Sequence, residues 1–217
     1  MRSDRPIPGN PWPHDMVLSV DSPNALLDLL WIREAHGLQV RGADLPPLLE
    51  ESPEPSPTTV PAEERTRWAA AWPFVWDAAL EHAAGEKDEQ DFDRLQETAG
   101  GSVERAELLG RIIGPTWRER FGDGAFDEAH DHWSGSRFDR LKDEHRLPLE
   151  EHPERRCLTE TIPAWRAGLL TVITIPCRGS FTRVVGAHGL LVTERERADP
   201  GAYRSALRRF AEDVTRR

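Results

Sequence analysis

Trp165 to Thr193 reads WRAGLLTVITIPCRGSFTRVVGAHGLLVT. It is the one long stretch dominated by β-branched and apolar residues, and two turn clusters punctuate it. The first, Pro176-Cys177-Arg178-Gly179-Ser180, and the second, Gly186-Ala187-His188-Gly189, divide it into three strand-length pieces. That spacing predicts an antiparallel meander over 168–193. Residues 16–20 (MVLSV) are short, apolar and β-prone, so they are expected to join it. The fold class expected is α+β: a small, mainly antiparallel sheet packed on helices, with a tryptophan-rich helical section.

Working outward, Ser22-Pro23 offers an N-cap and a first-turn proline, which predicts a helix over 23–36 that stops at Gly37. Leu26, Leu27, Leu29, Leu30, Trp31 and Ile32 make that helix apolar around most of its circumference, so more than one side should be buried. Residues 41–62 hold six prolines and several acids and read as a linker or surface loop. From Glu63 the period changes to 3.6. Trp68, Trp72, Val75, Trp76, Ala79, Leu80 and Ala83 form one stripe, with Pro73 expected to kink the helix or to start a second one. Two shorter helices are expected over 91–99 and 102–113. Another, capped by Asp123, should reach about Leu141 with Phe126, Ala129, His130, Trp133, Phe138 and Leu141 inward. Residues 142–162 show no clear period and read as a charged connector. Asp199-Pro200 opens a C-terminal amphipathic helix that turns Tyr203, Leu207 and Phe210 inward.

A chain of 217 residues suits one domain: a flexible arm over 1–15 and a single α+β unit over 16–217, with 41–62 as a loop and 63–141 as a helical insertion or subdomain. Cys157 and Cys177 have no CxxC spacing, which fits a reducing cytoplasm. The proline-rich start is not a signal peptide, and no apolar run has the length of a membrane helix. Of 28 basic residues only Lys87 and Lys142 are lysine, a bias that fits a high-GC bacterial genome rather than nucleic-acid binding. The net charge of −10 is split unevenly, with −12 in residues 1–110 and +6 in residues 155–217. Attraction between the halves is one consequence of that split. A basic face turned toward an anionic ligand or partner is the other.

Few constellations carry chemistry. His130-Asp131-His132 suggests a metal site, but on a helix residues two apart diverge by about 200°. His130 should then sit in the core and His132 in solvent, and no metal is expected. A Cys177–His188 dyad is disfavoured, because the two residues occupy turns at opposite ends of one strand. The first turn is the better candidate. Arg178, Gly179, Ser180 and Arg183 combine guanidinium forks, a hydroxyl and a glycine able to adopt positive φ, the parts of an anion site. Phosphate-loop, nucleophile-elbow and zinc-protease motifs are absent. With no catalytic set and no implied cofactor, the expected function is a non-enzymatic cytoplasmic binding or regulatory protein that recognises a partner protein. The alternative is an anion-handling protein or enzyme that acts on a phosphorylated or carboxylated small molecule through the 176–183 turn.

Overall fold

The structure, a computed structural model, describes residues 11–145 and 147–215. Residues 1–10 of the expected N-terminal arm lie outside the described residues. In chain order the elements are β1 (Ser19–Asp21), α1 (Asn24–Ala35), α2 (Ala62–Ala84), α3 (Glu89–Glu97), α4 (Val103–Ile113), α5 (Trp117–Phe121) and α6 (Glu128–His145). They continue with α7 (Pro153–Arg156), α8 (Leu158–Arg166), β2 (Thr171–Ile175), β3 (Thr182–Val185), β4 (Gly189–Thr193), α9 (Glu194–Ala198) and α10 (Pro200–Thr215). The class is α+β. No helix among the described residues is long and apolar enough to cross a membrane.

The sheet corrects the expected meander. Its order is β1-β2-β4-β3, with β1 parallel to β2 (Val20↔Val172) and β2 parallel to β4 (Ile173↔Leu191); only β3 and β4 are antiparallel (Val184↔Leu190). The sheet is therefore mostly parallel. The 176–181 segment is no hairpin turn, because β4 lies between the two strands it joins. The second turn is a true hairpin, and Gly186 occupies its left-handed position at φ 57°.

Burial explains this topology. All five residues of β2 and all five of β4 are buried, so these strands are covered on both faces as parallel strands are. Ile173, Ile175 and Leu191 point to a core with Leu30, Trp72, Trp76 and Leu80 from α1 and α2. Val172, Leu190 and Val192 point the other way, to Tyr203, Leu207 and Phe210 of α10 and Ala164 of α8. The molecule is thus layered helix–sheet–helix. Each fully buried large side chain contributes about 1.5–3 kcal/mol to that packing.

Several boundaries differ from the reading of the sequence. The cap of α1 is Pro23, with no side-chain cap bond, because the Ser22 hydroxyl bonds Thr174 of β2 instead. Helix α2 continues through Pro73, with Trp68, Trp72 and Trp76 buried on either side of the break site. Asp123 opens a 3-10 turn (123–125), and α6 begins later, at Glu128. Phe138 is exposed rather than inward, and Arg137 takes the buried place, paired with Glu194. The charged connector is in large part helical. In it, Glu154 is buried under Arg197 and Tyr203, which fixes α7 to α9 and α10.

Candidate binding site

The residues predicted to hold an anion lie at the carboxyl end of the parallel strands, the end where open α/β sheets place their ligands. There the proline-rich segment is laid across the strand ends. Leu49 forms a bridge with Cys177, Glu50 N–H donates to Pro176 O at 2.8 Å, and Arg178 N–H donates to Leu48 O at 2.8 Å. The Arg178 side chain continues the same contact. Its Nε donates to Leu49 O at 2.8 Å and its terminal nitrogen to the Ser52 hydroxyl at 2.8 Å.

Arg183 is directed elsewhere, to Asp77 of α2 at 2.9 Å. Gly179 does take a left-handed conformation, φ 70°, and its carbonyl accepts from Thr193 Oγ1 at 2.7 Å; Ser180 is exposed. The four residues are therefore not brought to one point, and both guanidinium forks have protein partners. Cys177 is fully buried, and burial pushes its thiol up to about 12. His188, at the opposite end of the strands, bonds Gly168 O at 2.8 Å.

More open space lies in the helical layer. The turn after α4 is flanked by two clefts. Gly114 holds this turn at φ 74°, and a Cβ there would stand 2.2 Å from the His82 ring. One cleft, about 500 Å³, runs between the end of α2 and the α3–α4 pair. It is lined by Glu86, Asp88, Asp91, Glu119 and Phe92. Lys87 and Arg111 also line it, but Lys87 pairs with Asp21 at 2.9 Å and Arg111 with Asp91 at 3.2 Å. Asp88 also faces Arg111 electrostatically, but with four carboxylates against these two cations the cleft is electronegative. Phe92 stands 45% exposed in it. Helices α3 and α4 bury almost nothing of their own: Leu108 is the one buried residue on α4, and α3 shows none among the described residues.

The second cleft, about 640 Å³, opens between α1, α4, α5 and α6. On its floor lies a pair that the sequence reading did not join, Asp28 of α1 and His130 of α6. The His130 Nε2 is 2.9 Å from Asp28 Oδ1. As expected, His130 is a core residue beside Phe126, at 4.7 Å, and Trp133, at 6.4 Å, and His132 is exposed. Trp31 meets the His130 ring edge-on at 5.0 Å. The available signal was Asp28 itself, a lone carboxylate between Leu27 and Leu29 of an otherwise apolar helix face.

No protein-family model matches the chain, and no curated protein or solved structure matches it.

Proposed function

We propose that the protein is a non-enzymatic cytoplasmic binding protein that receives a basic, partly apolar segment of a partner protein in the cleft between α2 and the α3–α4 pair. One observation carries this reading. Phe92, a large apolar side chain left half exposed, stands in a cleft lined by four carboxylates, Glu86, Asp88, Asp91 and Glu119, against two cations, Lys87 and Arg111. A buried aromatic anchor ringed by complementary charge is how partner surfaces concentrate binding energy. The sparse packing of α3 and α4 supports a hairpin able to adjust around an incoming chain. The two free thiols, Cys157 and Cys177, suit a reducing compartment.

The test is a quantitative pull-down from the native host, with wild type beside Phe92→Ser and a Glu86→Gln/Asp88→Asn double variant. A stoichiometric partner should be recovered by wild type, weakened by both variants, and weakened further as salt rises. Absence of a stoichiometric partner, or a partner held equally by all three proteins, refutes the reading.

A further inference from the structure

We propose that the free edge of β3 is the surface on which two copies of this chain pair, antiparallel, about a two-fold axis at Thr182. The inference concerns another surface and does not depend on the partner cleft. Its starting point is the direction of the backbone. Thr171 N–H donates to His188 O at 3.0 Å, so the even-numbered residues of β4 turn their N–H and C=O groups toward β2. The odd-numbered Gly189 and Leu191 therefore bond β3, through Val185 and Arg183. Thr182 and Val184 alternate with these and turn their backbone groups away from the sheet. Among the described residues nothing pairs with those groups, because β3 ends the strand order and no loop bonds the two main chains. Thr182, Arg183 and Val184 are each partly exposed. The stretch 180–185 holds no proline or lysine to block an approaching strand.

The side chains select both the occupant and the register. An axis at Arg183 sets two guanidinium groups directly opposite each other, which opposes association. An axis at Val184 sets Thr182 against Gly186, which the hairpin holds left-handed at φ 57° and out of line. An axis at Thr182 has neither fault. It pairs Thr182 with its own copy and Val184 with the exposed Ser180, so main-chain hydrogen bonds form at the axis and on both sides of it. It also sets Arg183 opposite Phe181 of the second copy, twice over. Arg183 bonds Asp77 through one terminal nitrogen and its side chain stays 30% exposed, while Phe181 is only partly buried. A guanidinium against an aromatic ring is favourable. Here cation and ring stand two residues apart on one strand face, a spacing that answers itself across a two-fold. A second copy therefore supplies the match with no further requirement. The axis runs through the sheet, so α2 and α10 keep their own faces and two four-stranded sheets join into one.

The experiment follows the full-length protein from about 1 μM to about 1 mM by sedimentation equilibrium and by residue-resolved amide hydrogen exchange. The mass should rise from that of one chain, 24.6 kDa, toward twice that value. The Thr182 and Val184 amides should exchange freely in dilute protein and gain about 10-fold or more protection as the dimer forms. Arg183 and Val185, bonded to β4, should stay protected throughout. Val184→Pro removes an outward N–H and no bond of the existing sheet, so it should fold and weaken self-association about 10-fold or more. If that variant fails to fold, the exchange pattern of the wild type decides alone. The inference is overturned if the protein stays monomeric across the series, or if a dimer forms without protecting Thr182 and Val184. It is also overturned if folded Val184→Pro associates as the wild type does. Protection that appears only in host lysate, with the pure protein monomeric, assigns the edge to another partner and refutes the second-copy reading. Phe92→Ser should leave self-association unchanged, so failure of the partner-cleft reading and failure of this one are told apart.

Discussion

Removing Arg197 should cost more stability than removing any exposed ion pair of this protein. Glu154 and Arg197 are 5% and 6% exposed, and the guanidinium grips the carboxylate with both forks, Nε to Oε1 at 2.8 Å and a terminal nitrogen to Oε2 at 3.0 Å. Tyr203, fully buried, adds a third bond to Oε1 at 3.0 Å. Burial alone would raise the Glu154 pKa. The Arg197 and Tyr203 contacts outweigh it and hold the carboxyl below its ordinary value. Arg197→Ala strands that carboxylate in a low-dielectric site, which costs about 3–5 kcal/mol. The surviving Tyr203 bond places the expected loss near the lower end of that range. Replacing both charges with apolar residues, Glu154→Leu/Arg197→Met, should cost far less, mainly the roughly 1 kcal/mol of the stranded Tyr203 hydroxyl. Urea unfolding at pH 7 measures all three proteins. The sign of the pH effect follows from the depressed pKa. The stability difference between wild type and Glu154→Gln should be complete above the unfolded-state value of about 4.3 and should close as pH falls through the lower folded-state value. An Arg197→Ala loss below about 1 kcal/mol at pH 7, with an unchanged m-value, refutes the argument.

Three further outcomes are expected. Gly114→Ala places a Cβ at φ 74° and 2.2 Å from His82, so it should lower stability by about 1–3 kcal/mol and lower the thermal midpoint; an unchanged midpoint counts against the tight turn. The Cys177 thiol, pushed to about 12, should resist alkylation at pH 8 in the native protein and react at once in denaturant; fast native labelling would contradict its burial. Arg178→Ala removes the two side-chain bonds that hold residues 49–52 across the strand ends, so limited proteolysis in the 46–56 segment should accelerate, with about 1–2 kcal/mol lost in unfolding experiments.

Element types were largely legible from pattern, and topology was not. The tryptophan stripe, the all-round apolar α1 and the amphipathic α10 follow from periodicity, because each buries a face that local sequence alone defines. The sheet depends on partners far away. Leu190-Leu191-Val192 is an unbroken apolar run and Val172-Ile173-Thr174-Ile175 is interrupted only by Thr174, and a near-continuous run marks a strand covered on both faces, as in a parallel pair. Two nearby turn clusters suggested hairpins more strongly, and only the second is one. Helix α8 was hidden by Pro163 inside it and by the charged residues before it. At the candidate sites, the turn glycines and arginines could be found in the sequence, but their partners could not. The Arg178 bonds to Leu49 and Ser52 and the Asp28–His130 pair join segments about a hundred positions apart, and no local pattern encodes such pairings.

The parallel pairing of β1 with β2 carries a consequence for synthesis of the chain. Val20 finds its neighbour only at Val172, and the Ser22–Thr174 bond closes a separation of 152 positions. At about 5–20 residues per second, the ribosome needs on the order of ten seconds to deliver β2 after β1 has been made. For that interval Leu26, Leu29, Leu30 and Trp31 of α1 have no sheet to cover them. The tryptophan-bearing face of α2, made in between, is the cover at hand, through contacts such as the Trp72 indole N–H bonded to Leu29 O at 2.7 Å. The helical layer is thus placed to shelter the nascent N-terminal segment from aggregation, and the central strands complete the molecule only when its last third arrives.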